Sequence, residues 1–391
     1  MNEAHLGGTR RLYYEDSHLQ QAEATVLEVR QTDKGYETIL DRTPFFPEGG
    51  GQPCDRGTIE DIPVLHVKEK GDTVVHLLPE PLAVGQQILC KIDWPYRFSL
   101  MQNHSGEHIV SGLVHAKYGY DNVGFHMGTE AVTLDLSGPM TPEQVREIEI
   151  AANRVVWANL PVRAYFPDPD TLRDLEYRSK LELTENVRIV EIGDIDRCAC
   201  CAPHVSLTGE IGSIRLLDCQ NYKGGVRISM LCGERALLQA EQTQDQIAEL
   251  AVRFSVKQPQ TAEAVHRLLE EHQNLTEERN RISMELLRYR AAEVPEGDSL
   301  LCLFEDLHGE DLRYFANFAA ERNHGITAVF TPEGRYILIS PGQDVQGLNQ
   351  ILRKQLGAKG GGRGNMAQGS LPASKEAILS FFKTLENTGN V

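Results

Sequence analysis

From about residue 20 to 95, short apolar runs alternate with breaks of Gly, Pro and Asp. ATVLEVRQ, YETILDRT, GTIEDIPVLHVKEK and DTVVHLL are rich in Val, Ile and Thr, and each reads as a strand. Strands at this regular spacing predict a small β-barrel over 1–95. One loop, FPEGGGQP, interrupts it with three successive glycines, which reach backbone conformations closed to other residues. The period lengthens to a helical one near 98–118, and a strand-like stretch follows at 122–137. TPEQVREIEIAANRVVWANL then carries the marks of a helix start: Thr141 as cap, Pro142 at the first position and acids in the first turns. Strands return around 187–192 and 211–230, so 96–232 reads as an α+β domain.

The next two stretches, 234–254 and 260–293, are helical and separated by Pro259. In the second, Val265, Leu268, His272, Leu275, Arg279, Ile282, Leu286 and Tyr289 step by threes and fours, a heptad seam with two polar interruptions. Such helices either fold back as a hairpin or pair with a second chain, and both outcomes stay open for a coiled-coil-like spacer over 233–296. VPEGDS reads as a linker. From 297 to 391, LLCLFED, GITAVFT and RYILISP alternate with helical stretches, as in an α/β domain.

Charge sharpens this division. The chain has 391 residues and a formal net charge of −17. Residues 1–230 carry −12 and 231–300 carry −5, whereas 301–391 is neutral and 351–370 holds Arg353, Lys354, Lys359 and Arg363 with no acid. A chain that coats nucleic acid should be basic, so that class is excluded while a local basic contact is not. No apolar run reaches the ~18–20 residues of a membrane span. The N-terminus lacks the apolar core of a signal peptide, so the expected location is cytoplasmic and no membrane partner is expected. Eight cysteines in such a chain suggest metal or redox chemistry rather than a disulfide framework.

Chemistry concentrates in two places. NHSGEH puts His104 and His108 four apart, on one face of a helix. CACCAPH supplies Cys200 and His204, with Cys198 and Cys201 beside them. Three imidazoles and one thiolate complete a tetrahedron that selects zinc, one ion per chain. His104–His108 also spells H-x-x-E-H, a metalloprotease signature with Glu107 as base and Glu182 or Glu185 as a third ligand. A third reading is a non-catalytic, dimeric RNA-binding adaptor with a structural zinc.

NHSGEHIVSGL followed by IDRCACCAPHVSLTGEIGSIRLL resembles the editing domain of alanyl-tRNA synthetase and its free-standing AlaX relatives. RTPFFPEGGGQPCDRG is similar to the family's glycine-rich motif, EIEIAANRVVWANLPVRAYF to its intervening segment, and AKGGGRGNMAQGS to the glycine-rich motif of the DHHA1-type C-terminal domain. Together they give the order expected of the long AlaX class. The class II aminoacylation domain has no counterpart before the first strand, so the resemblance implies no charging of alanine and no ATP site. Two departures are visible: the usual C-G-G-T-H is C-C-A-P-H here, and R-P-D-M-A-Q-A-G-G is R-G-N-M-A-Q-G-S.

The resemblance implies a trans-editing hydrolase that cleaves the ester of Ser-tRNA(Ala), and of Gly-tRNA(Ala), while sparing Ala-tRNA(Ala). Its partners would be the tRNA(Ala) acceptor end and elbow, with Arg353, Lys354, Lys359, Gly361, Gly362 and Arg363 meeting RNA; Arg215, Lys223, Arg227 and Arg235 offer a second patch. Gln52 has an amide able to orient water or the ester carbonyl, with Gly50 and Gly51 letting backbone N–H groups approach it; the alternative is a plain turn. Thr43 matches the position whose hydroxyl meets the amino-acid side chain, which would let the site keep serine and reject alanine. Glu107 reads as a base or, more simply, as a solvated helix glutamate. The zinc either anchors the site or yields a ligand position to water or substrate.

Overall fold

The computed structural model describes residues 8–179 and 187–388. The chain divides into two compact units, Met1–Ala248 and Glu249–Val391.

The largest sheet of the first unit has seven strands: β1 (Gln21–Thr32), β2 (Gly35–Leu40), β3 (Gly57–Ile59), β4 (Ile62–Pro63), β5 (His66–Lys70), β6 (Thr73–Leu78) and β7 (Gln87–Ile92). They pair in the order β4-β3-β7-β1-β2-β6-β5, antiparallel throughout. The closed barrel expected from the strand spacing is therefore not formed. β1 changes partner along its length: Gln21–Thr25 pair with β7 and Val26–Thr32 with β2, with a register shift between Val26 and Glu28. Such a bulge bends and twists a strand. The sheet curls there, around a core that includes Val26, Leu40, Phe45, Ile59, Val67 and Ile88. Its ends do not meet because edge strand β4 is two residues long and includes Pro63, which has no N–H to donate, and edge strand β5 carries Lys68 and Lys70.

Helix α1 (Trp94–Tyr118) follows, capped by Asp93, which accepts the Tyr96 N–H, and stopped by Gly119 at φ 70°. Its middle, Leu100 to Gly112, is buried on all sides. On one side stands the antiparallel sheet β8 (Asn122–Met127), β9 (Val132–Leu136), β13 (Ile214–Tyr222) and β14 (Gly225–Cys232), ordered β8-β9-β14-β13. Against it also packs α2 (Pro142–Ala158), whose Thr141–Gln144 capping box confirms the start read from the sequence. A three-stranded sheet of β10 (Val162–Tyr165), β11 (Ile189–Ile192) and β12 (Asp196–Ala199) completes the surroundings. A side chain at Gly112 would meet Ile195 O at 2.5 Å, so glycine lets the β11–β12 turn lie directly on α1. The expected strands near 187–192 and 211–230 are present; β12, inside the cysteine-rich motif, was not expected.

Helix α3 (Gly233–Phe254) leaves this unit. In the second unit, α4 (Thr261–Ala291) precedes β15 (Leu301–Phe304), α5 (Gly309–Arg322), β16 (Thr327–Phe330), β17 (Arg335–Ile339), α6 (Gln346–Gln355), β18 (Lys359–Arg363), β19 (Met366–Ser370) and α7 (Lys375–Thr388). The sheet order is β15-β16-β17-β19-β18, with β15–β16 parallel and the rest antiparallel. Val329, Ile337 and Ile339 face α5 and the end of α4, while Ala328, Phe330 and Leu338 face α6 and α7. A sheet covered on both sides is the α/β arrangement read from the sequence. On α4 it is Leu287 and Ala291 that enter this core, whereas Leu268, Leu275, Ile282, Leu286 and Tyr289 of the heptad seam are exposed. No helix among the described residues is long and apolar enough to cross a membrane.

Candidate active site

The buried stretch of α1 carries His104 and His108, and the loop after β12 brings Cys200 and His204 to them. One ligand atom from each of the four lies within 4.8 Å of every other. Cys200 Sγ is 3.5 Å from His104 Nε2 and 3.4 Å from His204 Nε2. Each imidazole turns its other nitrogen outward to an oxygen. His104 Nδ1 donates to Gln52 Oε1 at 2.7 Å, His108 Nδ1 to Asp196 Oδ2 at 2.9 Å, and His204 Nδ1 to Ser105 Oγ at 3.0 Å. These partners fix the tautomers so that the Nε2 lone pairs converge on the thiol, the arrangement of metal-bound histidines with their supporting hydrogen bonds. The donor set is the one tetrahedral zinc takes. By geometry and chemistry the residues fit the ion.

Electrostatics inside the cluster agree with this. Burial pushes the Cys200 thiol up, but the imidazoles of His104 and His204 outweigh it and hold the thiol well below its usual range. Burial lowers His108, yet its bonds to Asp196 and Cys200 raise it well above the ordinary imidazole value. Burial dominates at His204, which falls to about 3. Asp196 also accepts from Arg178 Nε at 2.7 Å, so both carboxylate oxygens are occupied. The sequence reading missed Asp196; its signal was an acid four residues before Cys200 in IDRCAC. Replacing Asp196 with Asn should weaken zinc affinity about 10–100-fold with the fold retained, as measured by competition with a chromogenic chelator.

Gln52 arrives from the loop between β2 and β3. Gly49 and Gln52 exchange backbone hydrogen bonds across a tight turn that holds Gly50 and Gly51 at φ 61° and 82°. A Cβ at Gly51 would stand 2.7 Å from Phe125 O, and Met127 N donates to Gly51 O, so the loop is docked on β8. Tyr13, Phe46 and Ala202 pack together behind it, with Cys200 against them, which joins the glycine loop to the cysteine loop. Arg97, at the start of α1 and fully buried, secures the same loop: it pairs with Asp55 through two bonds and donates to Pro44 O and Ser17 O. Gln52 Nε2 is buried without a hydrogen-bond partner among the described residues.

A cavity of about 1210 Å³ opens beside the cluster, lined by Gly50, His104, Glu107, His108, Cys198, Cys200 and Cys201 among others. Glu107 is buried and accepts from Ser111 and Asn122, so it is not a solvated helix glutamate. Thr43 does not line the cavity: it is fully buried, with its hydroxyl 2.8 Å from His76 Nε2 and accepting the Phe45 N–H. Burial holds His76 down at about 4. Cys198 groups with His108 and Asp196, and burial raises its thiol; Cys201 is exposed beside Gly50, its thiol raised by burial to about 11. Neither replaces Cys200 in the four-ligand cluster. Glu182 and Glu185 lie outside the described residues.

In the second unit, Arg353 and Lys354 are exposed at the end of α6, and Lys359, Gly361, Gly362 and Arg363 are exposed on edge strand β18. The other basic group is largely committed internally: Arg227 pairs with Asp135, Arg215 with Glu149, and Arg235 donates to Gly128 O and Thr129 O.

Two family models match the chain. Residues 187–229 match the Threonyl and Alanyl tRNA synthetase second additional domain, the segment that supplies Cys200 and His204. Residues 4–96 match a model described as tRNA synthetases class II (A). The described part of that stretch is the open sheet above. At the level of whole chains, an alanyl-tRNA editing protein, AlaX-L, of Pyrococcus horikoshii is 28% identical over 94% of this chain and 96% of its own length. An alanine–tRNA ligase of Ignicoccus hospitalis is 31% identical over 96% of this chain but 43% of its own length. An alanyl-tRNA editing protein of Xenopus laevis is 35% identical over 53% of this chain and 52% of its own. The chain thus spans less than half of the ligase and nearly all of the Pyrococcus editing protein. The chain is thus similar, over nearly its whole length, to a free-standing alanyl-tRNA editing protein, the family its motifs resemble.

Proposed function

We propose that this protein is a cytoplasmic trans-editing deacylase that hydrolyses the ester of mischarged tRNA(Ala), Ser-tRNA(Ala) first and Gly-tRNA(Ala) with it, and spares Ala-tRNA(Ala). The observation that carries this reading is the junction of the two motifs: the GGGQ loop sets the buried Gln52 on His104, a ligand of the His₃Cys cluster, and His104 and Gly50 line a cavity large enough for an aminoacyl-adenosine end. Relatives named for alanyl-tRNA editing support the same class of substrate.

His104, His108, Cys200 and His204 would hold one zinc, which supplies either a fixed anchor for the site or Lewis-acid polarisation of water or the ester oxygen. The chain's own residues do the positioning. Gln52 keeps its Oε1 on His104 and has a free amide donor. Leaving such a donor unpaired costs about 1–3 kcal/mol, and the carbonyl of the ester, more so as it gains negative charge, is the acceptor that recovers it. Gly50 lets the backbone of the loop come to the same group. Aminoacyl esters are activated, so orientation and charge stabilisation meet most of the catalytic demand. In this reading Thr43 meets the serine hydroxyl only after its own hydroxyl leaves His76.

RNA contact is assigned to Arg353, Lys354, Lys359, Gly361, Gly362 and Arg363, whose exposed cluster lies in the part of the chain free of net negative charge; it would reach the tRNA elbow while the cavity takes the acceptor end. The exposed apolar seam of α4 is the surface we assign to homodimer contact. Purified, zinc-quantified protein should release serine and glycine from tRNA(Ala), leave alanine, and leave Thr-tRNA(Thr). Equal loss of all four esters, or of none, would overturn the assignment.

A further inference from the structure

Two carboxylates on the cavity wall are buried, Asp196 and Glu107. Asp196 is spent on His108 and Arg178, one on each oxygen. Glu107 has no such employment. It sits on α1 between the ligands His104 and His108 and is 4% exposed. Ser111 Oγ and Asn122 Nδ2 both donate to its Oε1. Asn122 is itself fixed, its Oδ1 accepting the Gly124 N–H at 3.1 Å. Among the described residues no hydrogen bond falls on Oε2. The cations of the same wall make their hydrogen bonds elsewhere: Arg178, which also feels the charge of Glu107, is held by Asp196, Arg197 by Glu191, and Arg188 donates to Cys200 O and Ala202 O.

A carboxylate taken out of water with only neutral hydrogen-bond donors, and with Arg178 near it but bonded to Asp196, gains further when a second cation arrives. The group is already oriented: one oxygen is pinned and the other is left toward the cavity. Resting on the deacylase reading, we propose that Glu107 binds the α-ammonium group of the aminoacyl ester. The ammonium stands on the carbon next to the scissile carbonyl, so an anchor one residue from His108 places that carbonyl beside the cluster. A charge-assisted bond of this kind also defines what the enzyme refuses. An ester whose amine is acylated, as in peptidyl- or formylaminoacyl-tRNA, has no cation to offer and would leave the carboxylate buried and unpaired.

The test compares Ser-tRNA(Ala) with N-acetyl-Ser-tRNA(Ala) on wild type and Glu107→Gln, with bound zinc measured on both. The Gln side chain keeps an acceptor for Ser111 and Asn122 and removes only the charge. Wild type should prefer the free amine strongly. Glu107→Gln should lose about 10–150-fold in kcat/KM on Ser-tRNA(Ala), stay within about twofold on the acetylated ester, and keep its zinc. Equal losses on both esters would make Glu107 a base or a structural group and overturn the assignment, as would a Gln variant that still prefers the free amine. If Glu107→Gln loses zinc, Glu107→Asp decides, since it retains the charge: a retained preference for the free amine supports the anchor, and a lost one overturns it. A wild type inactive on both esters would overturn the deacylase reading itself, and the anchor with it.

Discussion

Replacing Cys200 with alanine should empty the metal cluster and reduce deacylation to the spontaneous rate. Cys200 is the only sulfur among the four grouped ligands, and it is the atom on which His104 and His204 converge. Its removal leaves three buried imidazoles around a void, with no anionic ligand in the four-atom set. Structural zinc contributes about 10–16 kcal/mol to the folding of small zinc domains; here the first unit has large apolar cores of its own, so the chain should fold but lose the register between the α1 and β12 loops. Zinc per chain by atomic emission and initial rates on Ser-tRNA(Ala) check this. A variant that keeps full zinc and activity would transfer the ligand role to Cys198 or Cys201.

The second large effect concerns stability. Asp55→Asn should destabilise the first unit by about 3–5 kcal/mol, because Arg97 then keeps a buried charge with no anionic partner. Both side chains are fully buried, and Arg97 further holds Pro44 O and Ser17 O. For a unit of this size the loss corresponds to a fall of about 6–20 °C in Tm. Function should suffer beyond stability, since the pair ties the start of α1 to the loop that carries Gln52. A variant with an unchanged melting temperature would show that the pair is dispensable, and calorimetry on the zinc-loaded protein gives the answer directly.

Much of this site was legible in the sequence because it is written in local spacing. His104 and His108 are one helical turn apart, Cys200 and His204 share one loop, and Thr141–Pro142 announces α2. The supporting bonds were not legible, because each joins residues far apart in sequence: Gln52 with His104, Arg97 with Asp55, Ser105 with His204. The resemblance of the GGGQ loop implied a place for Gln52 near the chemistry but gave no sign that it grips a ligand. Glu107 read as a surface residue because a helix pattern does not reveal that α1 is enclosed on every side. The barrel failed for a related reason. Strand count and turn residues set how many strands form, while closure depends on the partner change at Val26–Glu28 and on two edges too short and too charged to meet.

The charge distribution now has a structural counterpart, with the exposed basic residues on α6 and β18 and the His₃Cys cluster in the acidic first unit. Binding that relies on a few phosphate contacts should be weak and salt-sensitive, which suits an enzyme that samples many tRNA ends and holds few.

The most direct measurement is a competition in one tube. Ser-tRNA(Ala) and Ala-tRNA(Ala), carrying different isotopes on the amino acid, are mixed at equal concentration with catalytic amounts of the zinc-loaded protein, and both losses are followed together. The serine label should be released over many turnovers while the alanine label decays at its spontaneous rate. Parallel release of both labels, or of neither, would contradict it.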